Sequence, residues 1–249
     1  MAIFITGDTH GDFTRLRPLF FPAQSDMTKQ DYVIICGDFG GVWDDGPEDR
    51  YWLDWLEEKP FATLFIDGNH DNFDLLAAYP IEPWQGGMVQ RVRPSVIHLM
   101  RGQVYQLQGL SFFPMGGARS HDISGGILDP DDPLFREAHR QLTLQGRPHR
   151  INHVTWWKEE LPREEEYQTA RDNLALHGWK VDYIITHCCP TSVQAGLCQG
   201  RYPANPLTDF LEELSQRCQF KRWFFGHYHL DQAVSGRCLA VHEEIIPLK

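Results

Sequence analysis

Short apolar runs recur along the first third of the chain, and each is followed at once by a polar turn. "AIFIT" leads into Gly7-Asp8, "YVIIC" into Gly37-Asp38, and "ATLFID" into Gly68-Asn69. Runs rich in Ile, Val and Phe that are apolar at every position, not at alternate ones, are expected of strands covered on both faces. The stretches between them, Asp12 to Phe20 and Glu48 to Lys59, are helix-compatible. The second sets Trp52, Leu53, Trp55 and Leu56 at helical spacing. Strand, turn and helix repeated in this order predict βαβ units and an α/β fold.

From about Val96 the pattern changes. "VIHLMRGQVYQLQGLSFFPMGG" holds apolar runs split by Gly102 and Gly109, which reads as a β-meander. Ser120 to Arg150 is rich in Gly, Asp and Pro and predicts an irregular excursion, about 116–160 with its flanks; a long loop of this kind is often functional. Leu161 to His177 reads as a charged helix with Pro162 in its first turn. The alternation then returns, with "VDYIIT" before His187, a helix over Leu207 to Arg217, and "FKRWFF" before Gly226-His227. The tail supplies two more short strands. No linker-like segment interrupts the chain, which predicts a single domain over residues 1–249.

Composition narrows the function classes. With 42% hydrophobic and 23% charged residues among 249, the chain can bury a sizeable core. Its formal net charge of -11 counts against a general nucleic-acid binder, because phosphate neutralisation needs Lys and Arg. A phosphorylated substrate stays compatible with that charge if bound metal reverses the local sign. No apolar run approaches a membrane span, and the apolar start, Ala2 to Ile5, is shorter than a signal-peptide core. The six cysteines (Cys36, Cys188, Cys189, Cys198, Cys218, Cys238) lack the spacing of a disulfide framework and are expected to be mostly free thiols in a reducing cytoplasm.

Polar residues able to bind metal follow the predicted strands. They are Asp8 and His10 in "GDTH", Asp38 in "GDFG", Asn69 and His70 in "GNHD", His187 in "THCCP", and His227 and His229 in "GHYH". Side chains at the carboxyl ends of parallel strands converge on one edge of a sheet, and the glycines before them allow close backbone approach. Any one fragment is as easily a turn. All five in order, each at a strand end, are not explained by turn chemistry.

Together these motifs resemble the calcineurin-like metallophosphoesterase superfamily, whose pattern is D-x-H, then G-D, G-N-H-D or G-N-H-E, a lone His, and G-H-x-H. The resemblance runs from Asp8 to His229 and implies a four-layered α/β/β/α sandwich with mixed sheets. It implies one metal held by Asp8, His10, Asp38 and His229, and a second held by Asp38, Asn69, His187 and His227, with Asp38 bridging. It makes His70 the general acid at the leaving oxygen, outside the ligand set, with Asp71 orienting it. Two carboxylates, one carboxamide and four imidazoles without sulfur suit two divalent transition-metal ions, manganese first and iron or zinc as alternatives. Such a pair can share a bridging hydroxide and clamp the phosphoryl oxygens during in-line displacement. On that pattern Cys188 and Cys189 are packing residues beside a ligand.

Departures from the superfamily pattern narrow the branch. Its protein Ser/Thr phosphatases carry G-D-x-V-D-R-G and G-N-H-E, where this chain has "GDFGGVW" and "GNHD". The phosphate-binding Arg of the first motif is missing, so that branch is set aside. "GGARSHDISGG" and "WWKEELP" look like a group of bacterial and phage members. By that analogy Arg119, Ser120, His121 and Asp122 lie on a loop over the metals, with Arg119 as a phosphate clamp. Trp156 and Trp157 read as core or lid packing. His98, His139, His149, His153, His177 and His242 carry no assigned role. The expected function is hydrolysis of phosphomonoester or phosphodiester bonds in a small phosphorylated or nucleotide-like substrate, with no membrane and no long nucleic acid as partner. A non-catalytic metal-binding scaffold of the same fold, and a nuclease acting on short DNA or RNA, stand as alternatives.

Overall fold

In the computed structural model, which describes residues 2–248, the fully buried apolar runs pair with one another. Strands β1 (Ile3–Thr6), β2 (Tyr32–Ile35) and β3 (Ala62–Phe65) lie parallel, Ile3 opposite Tyr32 and Tyr32 opposite Ala62. An antiparallel set, β4 (Ile81–Trp84), β5 (Gly87–Arg93) and β6 (Val96–Leu99), extends this sheet through β6, which runs parallel to β3. The second sheet begins with the hairpin β7 (Tyr105–Leu107) and β8 (Leu110–Met115). A separate two-stranded pair follows, β9 (Ile127–Leu128) with β10 (Arg150–Ile151). Then β11 (Tyr183–Thr186), β12 (Arg222–Phe225), β13 (Gln232–Ala233) and β14 (Cys238–Ala240) complete the second sheet, and β15 (Ile246–Pro247) returns to β1. The strand orders are β15-β1-β2-β3-β6-β5-β4 and β13-β14-β12-β11-β8-β7.

Among the described residues six α-helices accompany the sheets: α1 (Pro47–Glu57), α2 (Phe73–Ala78), α3 (Phe135–Leu144), α4 (Glu164–Leu176), α5 (Thr191–Leu197) and α6 (Pro206–Arg217). Successive strand residues point to opposite faces, and this divides the core into three. Ile3, Ile5, Ile34 and Leu64 of the first sheet meet Phe112, Tyr183, Ile185 and Phe224 of the second. Val33, Ile35 and Phe65 turn outward onto Leu53 and Leu56 of α1. Phe113, Ile184, Trp223 and Phe225 turn outward onto Ala170 and Leu174 of α4 and Leu207, Phe210 and Leu214 of α6. Helix, sheet, sheet and helix are therefore stacked as four layers, the sandwich that the motifs imply. Two of the covering helices, α1 and α6, start where their sequence dictates. Pro47 opens α1 with Glu48 and Asp49 in the first turn. The Asn205 side chain accepts the Leu207 and Thr208 amides of α6.

Four local expectations are corrected. Asp12 to Phe20 is not an α-helix but contains one 3-10 turn, Thr14–Leu16, with a second at Pro22–Asp26. Arg17 stands before Pro18 and is extended (φ -68°, ψ 148°), because the proline ring disfavours helical backbone in the residue ahead of it. The run from Val96 is not one meander: β6 belongs to the first sheet and the β7–β8 hairpin to the second. The excursion is more regular than its composition predicts, carrying α3 and the β9–β10 pair, although α3 buries none of its residues. Pro162 falls just ahead of the α4 N-cap, Arg163. Among the described residues no helix is long and apolar enough to cross a membrane.

Candidate metal centre

Parallel pairing brings the carboxyl ends of β1, β2 and β3 to one edge, and face-to-face packing brings those of β11 and β12 beside them. The loops that follow carry Asp8 and His10, Asp38, Asn69, His187, and His227 with His229. Asp8 Oδ2 lies 3.2 Å from His229 Nε2 and 4.0 Å from His10 Nε2. Those two imidazole nitrogens are 3.2 Å apart. Asp38 Oδ2 faces His10 Nε2 at 3.7 Å, while its Oδ1 faces His187 Nε2 at 3.3 Å. Asn69 Oδ1 is also 3.3 Å from His187 Nε2, and the His227 ring is 5.1 Å from that of His187. One carboxylate, that of Asp38, thus looks toward both groups of donors.

The backbone at this edge is held in conformations that side chains resist. His10, Asp38, His227 and His229 all have positive φ (45°, 45°, 68° and 50°), a region costing about 1–3 kcal/mol per residue that persists only where surroundings enforce it. The enforcement is visible. The amides of Thr9 and His10 donate to the Asp38 carbonyl (3.2 and 2.7 Å), and the His227 amide donates to the Asp8 carboxylate at 3.0 Å. Arg15 donates to the Asp8 carbonyl at 2.8 Å. A Cβ at Gly68 would collide with Asp38 Oδ1, and one at Gly226 with Asp8 Oδ1, so only glycine lets these loops interleave.

Hydrogen bonds also aim the donor atoms. His187 Nδ1 donates to the Cys36 carbonyl at 2.8 Å, which leaves Nε2 free to face Asp38 and Asn69. Asn69 Nδ2 donates to Ser120 Oγ at 3.3 Å, and Ser120 donates to Glu160 at 2.6 Å, so the carboxamide oxygen turns toward the cluster. Glu160 is buried, and burial pushes its carboxyl upward.

The electrostatics and the donor types fit divalent cations. Asp8 and Asp38 are each 1% exposed, and buried carboxylates need a cationic partner. Burial alone would lower His187, yet the adjacent Asp38 and Asp8 carboxylates push it up to about 10. The same contacts hold Asp38 far below the usual carboxylate range against the effect of burial. Burial keeps His227 well below the ordinary imidazole value and lowers His10 as well, which suits imidazoles that bind metal as neutral ligands. Among the described residues, Asp8, His10 and His229, and Asp8, Asp38 and His187, form sets whose ligand atoms lie within 4.8 Å of one another. Neither adjacent thiol joins them. Cys188 is buried with Sγ 3.3 Å from the Tyr228 hydroxyl, and burial pushes its thiol up to about 11.

The remaining expected residues fall into different positions. His70 lies beside the cluster, its ring 5.4 Å from that of His10 and its amide donating to Asp38 Oδ1 at 2.7 Å. Among the described residues the bonds of Asp71 run to backbone amides and not to that imidazole. Its carboxylate accepts the amides of Gly40 (3.0 Å) and Gly68 (2.8 Å), joining the loops after β2 and β3, and burial pushes it up to about 6. The group at the His70 ring is Arg150, whose Nη2 lies 3.4 Å from Nε2 and which also pairs with Asp122. Arg119 is exposed. His121 stacks on Tyr202 at 3.6 Å, with its ring 5.3 Å from His227. Sequence reading placed Ser120 on the loop over the site but missed Arg150 and Glu160, whose roles depend on contacts across 40 to 80 residues.

A layered sandwich with a buried oxygen-and-nitrogen donor cluster on its edge is the architecture of a metal-dependent phosphoester hydrolase. The chain matches the sequence profile of the family described as calcineurin-like phosphoesterase over residues 1–231, and it belongs to that family. It is similar to lariat debranching enzyme A of Xenopus laevis, at 25% identity over 145 residues that cover 52% of this chain and 26% of the relative. It is also similar to the lariat debranching enzyme of Danio rerio, at 24% identity over 145 residues, covering 52% and 24%. The shared stretch spans about a quarter of each relative.

Proposed function

We propose that the protein is a dinuclear-metal phosphoesterase that cleaves a phosphodiester in a small, nucleotide-like molecule. The observation that carries this reading is the Asp38 carboxylate, whose two oxygens face His10 and His187 respectively at 3.7 and 3.3 Å. Asp8, His10, Asp38 and His229 would hold one ion, and Asp38, Asn69, His187 and His227 the other. Bound there, two divalent ions supply Lewis-acid activation of water and neutralise the phosphoryl oxygens. Manganese is the first candidate, with iron or zinc next.

The chain's own groups do the rest. His70, fixed through its amide to Asp38, donates a proton to the leaving oxygen. Arg150, beside the His70 ring, binds a non-bridging oxygen in exchange for Asp122, a role its position suits better than that of exposed Arg119. No Ser or Cys nucleophile is needed. The diester preference is supported by the lariat debranching enzymes, phosphodiesterases to which the chain is similar, which also keeps short nucleic acid as a second reading of the substrate. All six cysteines are free, in keeping with work in a reducing cytoplasm. A non-catalytic scaffold is disfavoured because each expected donor is present.

The test is a screen of manganese-loaded protein against p-nitrophenyl phosphate and bis-p-nitrophenyl phosphate. Faster turnover of the diester, abolished by chelator and restored by Mn²⁺, is the expected result. Absence of turnover on both esters would overturn the proposal.

A further inference from the structure

Two clefts run up to the metal centre, and their chemistry differs. The first, of about 360 Å³, is lined by His10, His70 and Arg150 together with Trp43, Trp52 and Glu48. The second, of about 280 Å³, is lined by His227 and His229 together with His121, Arg201 and Tyr202. His10 of the first and His229 of the second are neighbours, Nε2 to Nε2 at 3.2 Å.

A phosphodiester has two ester arms, and hydrolysis breaks the bond to one. Resting on the diesterase reading above, we infer that each cleft takes one arm, and that the arm in the tryptophan cleft is the one that leaves. The proton donor decides this, because His70 lines that cleft and not the other, and a general acid must reach the leaving oxygen. The water oxygen bonds to phosphorus as the bond to the leaving arm breaks, and the electron pair of that bond stays on the leaving oxygen. That oxygen takes the His70 proton, and the surplus proton of the water passes to solvent, from which His70 is recharged. The products are an uncharged alcohol in the first cleft and a phosphomonoester in the second.

The linings match those products. Trp43 and Trp52 offer aromatic surface to a flat ring, and Glu48 beside them accepts ring N–H groups and repels any further phosphate. This wall is pre-formed. The Asp49 carboxylate accepts the amides of Trp43, Asp44 and Asp45 at 2.7, 2.9 and 3.0 Å, and Trp43 packs edge-on against Trp157 at 5.8 Å. In the second cleft Arg201 supplies positive charge. His121 Nε2 there is buried and, among the described residues, has no hydrogen-bond partner, an arrangement that a ligand oxygen completes. The leaving arm is therefore a nucleoside-like alcohol without additional phosphate, and the retained arm accommodates one.

The experiment uses a dinucleoside monophosphate and two derivatives carrying a terminal phosphate at one end or the other. Product analysis of the parent compound identifies the leaving arm. A terminal phosphate on that arm is expected to raise KM at least tenfold, and Glu48→Gln to relieve most of the increase. On the retained arm it leaves KM unchanged or lower, and Arg201→Ala raises KM for that derivative selectively. A free nucleoside should inhibit, less well after Trp43→Ala and equally well after Arg201→Ala. Equal effects of the phosphate at both ends, or equal responses of both derivatives to Glu48→Gln and Arg201→Ala, overturn the cleft assignment. Turnover of bis-p-nitrophenyl phosphate in the same preparations separates the two failures. Its absence removes the diesterase reading itself, and its presence with indistinguishable variants removes only the assignment of the arms.

Discussion

Asp38 is 1% exposed and its loop is fastened to those of His10, His70 and Asp71, whereas α3, in the excursion that overlooks it, buries none of its residues. The donor loops hold strained backbone because the surrounding hydrogen bonds leave it no alternative. The excursion reaches the site at its two ends through buried Ser120 and Glu160. In between it does so through Arg150, held there by an ion pair with Asp122, whose side chain is 49% exposed, and such pairs contribute little in water. Strained, hydrogen-bonded backbone is concentrated in the donor loops, and exposed side chains on α3.

The largest effect that would test this contrast is Asp38→Asn. Removing the carboxylate that faces both donor groups should strip about two metal equivalents per chain and take turnover to background, as read by elemental analysis after gel filtration. Retention of both equivalents would mean that Asp38 does not bridge. Next comes Arg101, which donates to Asp67 beneath the Asn69 loop at 2.8 Å and to the Glu159 carbonyl at 2.8 Å, joining the rigid loops to the end of the excursion. Asp67 is 2% exposed, so Arg101→Leu leaves a buried carboxylate without its cation. Chemical denaturation should register a loss of about 3–5 kcal/mol.

Glu160→Gln should have a smaller effect. Disturbing the Ser120 relay to Asn69 is expected to weaken metal affinity about 10–100-fold while leaving the fold intact, measurable by competition with a chelator. Leu144→Ala should have the smallest. Its side chain lies on α3, 71% exposed, and the stability change should stay within about 0.5 kcal/mol. A large loss there would show that α3 is packed into the core, and the contrast would collapse.

What the sequence revealed follows the same division. The donor residues were legible because a parallel strand must end before its side chain can reach the edge, and a glycine must stand where loops interleave, as Gly68 and Gly226 do. The strands were legible because burial on both faces removes the polar alternation. Periodicity records burial and not the partner, so nothing indicated that β6 and β7 belong to different sheets. The helix expected at Asp12 to Phe20 failed on the backbone restriction ahead of Pro18. Ser120 was legible as a residue of the loop over the site, but Arg150 and Glu160 were not, since a glutamate just after two tryptophans carries no sign of a serine 40 positions earlier. Asp71 was visible in "GNHD", but its partners are backbone amides of Gly40 and Gly68, which no motif records.

The central claim is that His70 works beside the metals without holding them. Metal content and diester turnover of His70→Ala, measured next to the unaltered protein, test it most directly. The account predicts about two equivalents in both proteins, with turnover lower by roughly 10²–10⁴-fold in the variant. Loss of either equivalent, or turnover equal to that of the unaltered protein, would contradict it.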